Sequence, residues 1–322
     1  MIFFNFKKVK FPDMPISGEK YTNFKHLDDS KLYTDNEYAI EYLKNNLENN
    51  KKENINTNIS YHSYWYGKIN EKHVLSIKSL LCTQKNPKIY LWIDSKTTKE
   101  NLNNKYINEL ENLIEIKTYN PKLEIKNTCF EQFDYIFNQK KKLPARADAF
   151  RLLIPYKYLV ENKYNGIVYF DLDVMFLRDF SDILDNSFCY QWEKQSYANT
   201  AILYINDKNM IEETVQIIEK EQTVLPWIIF NFSNVQLKNL MVFPCAFFDP
   251  LWNITDKNRY DYPVTSPNDF FTNYNGNITS YKEFFTGCYA YHWHNQWNTE
   301  ANENSLFNMF YREFSNILKN KI

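Results

Sequence analysis

The chain has 322 residues, enough for one large domain or two small ones, and with 44% hydrophobic and 18% aromatic residues it is globular rather than disordered. Its 38 basic and 39 acidic side chains leave a formal net charge of −1, so no global field draws it to nucleic acid or an anionic membrane, and any anion must be held locally. Five scattered cysteines, Cys82, Cys129, Cys189, Cys245 and Cys288, show no CxxC spacing, which argues against a disulfide framework or structural zinc and for a reducing compartment.

The N-terminal stretch "MIFFNFKKVKF" has too few apolar residues before charge intervenes to form a signal-peptide core. No apolar run approaches a membrane span, so the chain reads as a cytoplasmic protein with no transmembrane segment. Residues 1–56 are polar and rich in Asn, Lys and Glu; they read as an N-terminal extension, partly helical, with one helix near 36–48 and a solvated linker. From residue 58 strands and helices alternate. "ISYHSYWYG" (59–67) is strand-like, "EKHVLSIKSLLCTQ" (71–84) has helical spacing, and "KIYLWID" (88–94) is a second buried strand. "NKYINELENLIEI" (104–116) predicts another helix, and "PARADAFRLLIPYKYLVEN" (144–162) a longer one that Pro155 must kink or interrupt. The strand "GIVYF" (166–170) follows. This order predicts an α/β domain on a central, mostly parallel sheet flanked by helices, with ligands at the carboxyl ends of the strands.

Directly after "GIVYF" stand Asp171 and Asp173. Two carboxylates leaving a buried strand two residues apart repel one another unless a cation lies between them, and oxygen ligation of this kind suits Mg²⁺ or Mn²⁺. Upstream, "ARADAFR" carries Arg146, Asp148 and Arg151; the last two, three apart, share a helix face and could present a carboxylate and a guanidinium to one ligand. A solvated ion pair is the plainer alternative. Near the C-terminus "YAYHWHNQW" (289–297) offers His292 and His294 as a third metal ligand and Trp297 to close over a flat ring, against simple aromatic packing. Tyr64 or Trp65 could stack on a nucleobase, and Asn199 opens the strand "YANTAILYIN" (197–206), where Asn is as readily a turn residue. The basic run at 140–142 reads as a solvated loop ahead of Arg146.

Together, "RLLIPYKYLVENKYNGIVYFDLDVMFLRDF" (151–180) resembles the core of GT-A glycosyltransferases of family 8, and "ARADAFR" with "YFDLDV" is similar to the DXD sugar-binding group around family 32 and the clostridial glucosylating toxins. The resemblance implies a GT-A, Rossmann-like nucleotide-sugar-binding domain over residues 57–322. It implies a metal, Mn²⁺ or Mg²⁺, held by Asp171, Asp173 and His292, and a donor sugar held by Asp148, Arg151 and Asn199. Arg146, Trp297, Tyr64 and Trp65 would complete the nucleotide-sugar site. The implied reaction is transfer of a hexosyl unit, with retention, from a nucleotide diphosphate sugar, UDP favoured, to a glycan or other hydroxyl acceptor. Asp148 and Glu193, the latter in "YQWEKQ", are the candidate catalytic carboxylates.

The chain departs from family 8 after the histidine, with "HWHNQW" where Gly and Lys are expected, so His294 competes with His292 for the metal. Two other readings share the motif. A haloacid-dehalogenase-type phosphatase also begins with an apolar strand and Asp-x-Asp, but it wants Thr or Val where Met175 stands, and no "GDxxxD" follows. A GT-A scaffold that binds without catalysing is the third; its retention of two carboxylates at a buried strand end would have no reason.

Overall fold

The computed structural model describes residues 24–47, 58–137, 143–161, 163–192, 195–232, 237, 239–252 and 262–321. In chain order the helices are α1 (Asn36–Asn45), α2 (Glu71–Thr83), α3 (Lys105–Leu110), α4 (Pro121–Glu124), α5 (Asp134–Phe137), α6 (Leu143–Val160), α7 (Lys208–Glu221), α8 (Pro226–Ile229) and α9 (Leu306–Lys319). The strands are β1 (Ile59–Trp65), β2 (Lys88–Asp94), β3 (Glu115–Tyr119), β4 (Gly166–Phe170), β5 (Val174–Phe176), β6 (Phe188–Gln191), β7 (Ala198–Ile205), β8 (Met241–Phe243) and β9 (Ala290–His292).

A seven-stranded sheet runs in the order β3-β2-β1-β4-β7-β6-β8, and β7 alone is antiparallel to its neighbours. Every residue of β4 and β7 is buried. Strands covered on both faces carry near-continuous apolar runs, and alternation then sorts them between two cores. Val168 and Phe170 of β4 join Ile202 and Tyr204 of β7 against Val74, Ile77 and Leu80 of α2. Ile167 and Tyr169 join Leu203 and Ile205 on the other face, against Phe150, Leu153 and Ile154 of α6 and Ile217 and Ile218 of α7. This is the central, mostly parallel sheet flanked by helices that the sequence predicts.

Two expectations need correction. The helix predicted over 104–116 stops at Leu110, and Glu115–Tyr119 forms the edge strand β3, parallel to β2. β-branched Ile116 and Thr118 suit an extended chain, and pairing with β2 decides against the local helical spacing. Pro155 does not interrupt α6, which runs through it; its ring nitrogen has no hydrogen to give the Arg151 carbonyl.

Within the N-terminal stretch, the described residues 24–47 lie against the sheet domain. Lys25 exchanges backbone hydrogen bonds with Leu240 and Val242 beside β8, and Ala39 and Leu43 of α1 are buried in the core. Gly287, at φ +96°, marks how close α1 comes: a Cβ there would sit 2.8 Å from the Lys44 nitrogen. Among the described residues no helix is long and apolar enough to cross a membrane.

The topology creates one crevice. The chain proceeds outward from β1 to β2 and β3, then returns to pair β4 on the other side of β1, so connections diverge above the carboxyl ends of β1 and β4. The reversed β7 brings its amino end, Asn199 and Thr200, to the same edge.

Buried imidazoles tie this fold to pH. Burial holds His62 well below its usual value and His73 at about 3. Such groups leave stability intact above about pH 6.5 and remove it as pH falls toward the folded values, because the unfolded chain takes up the protons. Urea midpoints are expected to fall between pH 7 and pH 5. His73→Gln, which keeps an acceptor for the Asn70 amide but does not charge, should flatten that dependence.

Candidate functional site

The crevice is a cleft of about 730 Å³ whose walls include Asp148, Arg151, Asp171, Asp173, Asn199, His292 and His294. Asp171 begins the turn that ends β4, and its amide donates to the Ala201 carbonyl at 2.7 Å. After the turn, β5 pairs antiparallel with β9, setting Val174 opposite His292. This two-stranded ribbon carries the histidines to the aspartates. Trp293 donates its amide to the Asp173 carbonyl at 3.0 Å. His294 and Asn295, at φ +49° and +57°, turn the backbone so that the Asn295 amide donates to Asp173 Oδ2 at 2.8 Å.

Asp173 is therefore a fixed, buried carboxylate. Burial alone would raise its pKa; the neighbouring His292, 3.3 Å away through Nε2, and the Asn295 amide bring it down instead. His292, which burial would hold neutral, is held charged by Asp173. A dication bound here would displace that proton. Asp171 is more open, with 28% of its side chain exposed; burial raises its pKa against the pull of Arg151.

The second wall centres on Arg151. Its guanidinium lies 3.4 Å from both Asp148 Oδ1 and Asp171 Oδ1, and donates to the Thr200 carbonyl at 3.1 Å and to the Thr200 hydroxyl. The Tyr169 ring lies 4.7 Å beneath its Cζ, and the Tyr169 hydroxyl donates to Asp171 Oδ1. Burial lifts Asp148 to about 6 despite the arginine, so it can both donate and accept hydrogen bonds near neutral pH. The plainer alternative of a solvated ion pair is excluded, since both side chains are 9% exposed. Asn199, 4% exposed, accepts from the Ala201 amide at 2.8 Å, and its side chain borders the cleft.

At the β1 end the aromatic run divides by strand alternation. Tyr64 borders the cleft but is only 5% exposed, with its ring stacked on Phe150 and its hydroxyl donating to Asp94 at 2.6 Å. Trp65 meets Trp297 at 4.6 Å between centroids, and Trp297 stacks on His73 at 4.5 Å. The Trp297 segment is gripped from α2: buried Lys72 donates to the carbonyls of Gln296 and Thr299. Arg146 does not border the cleft. It pairs with Asp94 at 3.2 Å and covers the Tyr66 ring at 4.7 Å. Glu193 and the basic run at 140–142 lie outside the described residues.

Four residues at or behind the cleft were absent from the sequence expectation. Tyr66 is half-buried on the cleft wall, and Trp192 and Trp227 also border it. Asp249, 1% exposed, stands behind the histidines, with Oδ2 at 2.8 Å from His294 Nε2 and 3.9 Å from His292 Nδ1. A lone carboxylate in the apolar run "FFDPLW" was the available signal. The rings of His292 and His294 stack at 4.0 Å.

Arg151→Met removes the guanidinium that balances buried Asp148 and part-exposed Asp171, a change expected to cost about 3–5 kcal/mol. Unpaired, Asp148 and Asp171 bind protons more readily folded than unfolded, so the deficit should shrink as pH falls from 7 to 5. Thermal unfolding with and without Asp148→Asn in the same background measures both effects.

No protein-family model and no curated protein matches the chain. Solved structures similar to it include the PaToxG glycosyltransferase, at 15% identity over 66% of this chain and 78% of that one, with a TM-score of 0.41. The galactosyltransferase LgtC in complex with donor and acceptor sugar analogs matches at 12% identity, 81% of this chain, 95% of that one and a TM-score of 0.40. The WbbM bifunctional glycosyltransferase matches at 13% identity over 84% of this chain and 52% of that one, with a TM-score of 0.48.

Proposed function

We propose that the protein is a metal-dependent glycosyltransferase that moves a hexosyl unit from a nucleotide diphosphate sugar to a hydroxyl of a glycan or similar acceptor. One observation carries this reading: the β5–β9 ribbon brings His292 to Asp173 at the carboxyl edge of β4, beside the Asp148–Arg151 pair on the same cleft. Carboxylates, an imidazole and a guanidinium converging in a cleft of about 730 Å³ suit a diphosphate with a sugar attached.

Asp171, Asp173 and His292 would hold the dication, Mn²⁺ or Mg²⁺. The donor set fits one: Asp173 and His292 already face each other at 3.3 Å, and Asp249 Oδ1 behind them is buried with no hydrogen-bond partner. When bound, the ion supplies charge neutralisation for the departing diphosphate. The remaining steps belong to the chain. Asp148 and Asn199 fix the donor sugar through its hydroxyls, and Arg151 keeps Asp148 and Asp171 in place while it lies close to where phosphate oxygens would sit. The Trp65–Trp297 pair and Tyr66 form the nucleobase end, UDP being favoured. Fixing the reacting atoms relative to one another does much of the catalytic work.

Transfer with retention requires the bond from C1 to the diphosphate oxygen to break and the acceptor oxygen to bond C1 from the same face. The acceptor proton passes to the departing phosphate oxygen, so no protein nucleophile is needed, and Glu193 is not required as one. Residues 57–322 would form the catalytic unit, with residues 24–47 docked on it.

Slow hydrolysis of a panel of UDP- and GDP-sugars, with Mn²⁺ and with EDTA, tests the reading. One donor should be turned over only with metal, and Asp173→Ala should reduce the rate by about 100-fold or more. Metal-dependent donor binding without turnover would leave a binding scaffold, and neither binding nor turnover would remove the donor altogether.

A further inference from the structure

Asp249 is not part of the Asp-x-Asp turn, nor of the ribbon that faces it, yet it is as deeply buried as any carboxylate among the described residues. It follows the short 3₁₀ turn Cys245–Phe247 and is fixed there by its own amide, which donates to the Cys245 carbonyl at 2.9 Å. Its Oδ2 reaches His294 Nε2 at 2.8 Å, while Oδ1 has no hydrogen-bond partner. Leaving a carboxylate oxygen dry and unpaired costs free energy that one contact to an imidazole does not recover. Single donor atoms of Asp249, His292 and His294 lie within 4.8 Å of one another, a spacing that closes around one ion with small side-chain rotations. His292 meets Asp173 through one ring nitrogen and faces Asp249 with the other, and Asp173 is 4% exposed. The Trp252 ring, 4.1 Å from that of His294, limits how far this side chain can swing.

We propose that Asp249 and His294 are metal ligands and that, with His292, they form a centre of one carboxylate and two imidazoles, Asp173 lying at the other ring nitrogen of His292. A donor set of this kind prefers borderline ions. Mg²⁺ demands near-octahedral oxygen ligation and gives up its waters reluctantly, whereas imidazole suits Mn²⁺, Co²⁺ and Zn²⁺ increasingly well. The centre therefore selects a transition-metal dication and discriminates against Mg²⁺. The inference rests on the glycosyltransferase reading only for what the ion serves, and its binding test needs no donor.

The experiment is Mn²⁺ titration of the metal-stripped full-length protein, followed by the electron paramagnetic resonance signal of free Mn²⁺, with Mg²⁺ and Zn²⁺ as competitors. Mn²⁺ should bind with Mg²⁺ in about 100-fold excess failing to displace it, and Zn²⁺ should displace it. Asp249→Asn and His294→Gln should each weaken Mn²⁺ binding by more than about 100-fold, beyond the loss expected for a partner that only supports a ligand. The Co²⁺-loaded protein gives an independent signature, since loss of the His294 nitrogen should shift its visible absorption. Equal competition by Mg²⁺, or wild-type Mn²⁺ affinity in the two variants, overturns the proposal. If one variant fails to fold by circular dichroism, the other is read alone by the same criterion. Donor hydrolysis separates the two readings: turnover supported equally by Mg²⁺ refutes the selective centre and leaves glycosyl transfer standing, while selective Mn²⁺ binding without any donor turnover does the reverse.

Discussion

The Arg151 guanidinium, buried among three elements, is the interaction on which the cleft depends. Asp148 belongs to α6, Asp171 to the end of β4 and Thr200 to β7, and the arginine touches all three. Without a cation there, buried Asp148 and the half-buried Asp171 would repel each other, and keeping Asp148 charged would carry a desolvation cost with no partner to offset it. The guanidinium is always charged and planar, so it can serve both carboxylates and the Thr200 oxygens at once. Tyr169 beneath it completes the arrangement by giving Asp171 a hydrogen bond. The wall of the cleft is thus an electrostatic structure before it is a binding surface.

The opposite wall follows a different rule. Asp173 is held by a histidine and a backbone amide, from a segment with two consecutive residues in the left-handed region. That segment is anchored to the ribbon at one side and, through Lys72, to α2 at the other. One carboxylate of the Asp-x-Asp pair therefore looks to an arginine and the other to a histidine. The turn between them separates two charges that would otherwise oppose each other.

Much of this was legible in the sequence because burial writes itself in apolar runs. Two aspartates at the end of "GIVYF" could only be a strand exit with a purpose, and the three-residue spacing of Asp148 and Arg151 put them on one helix face. Alternation along β1 was visible, but not which face met the cleft, so Tyr64 and Trp65 were both offered for a base and Tyr66, which also borders the cleft, was not. β3 was hidden because Glu115–Tyr119 continues a helical spacing and only its partner strand makes it extended. Asp249 was hidden for a deeper reason. It comes from a segment with no regular period, and its importance lies in what stands beside it in space.

The distance along the chain between Asp173 and the Asn295 amide that holds it, 122 positions, has a consequence for the order in which the molecule comes into being. Nearly all of β1–β4 can pair through crossovers of neighbouring segments, whereas the ribbon must wait until residues near 290 have been made and the intervening loop has closed. Contacts of such separation form late, after the loop entropy has been met. A nascent chain thus displays Asp171 and Asp173 long before it owns His292 and His294, and the long part that precedes β9 is a sheet without the ribbon that completes the cleft. The complete cleft therefore belongs to the last steps of folding, when β9 joins β5.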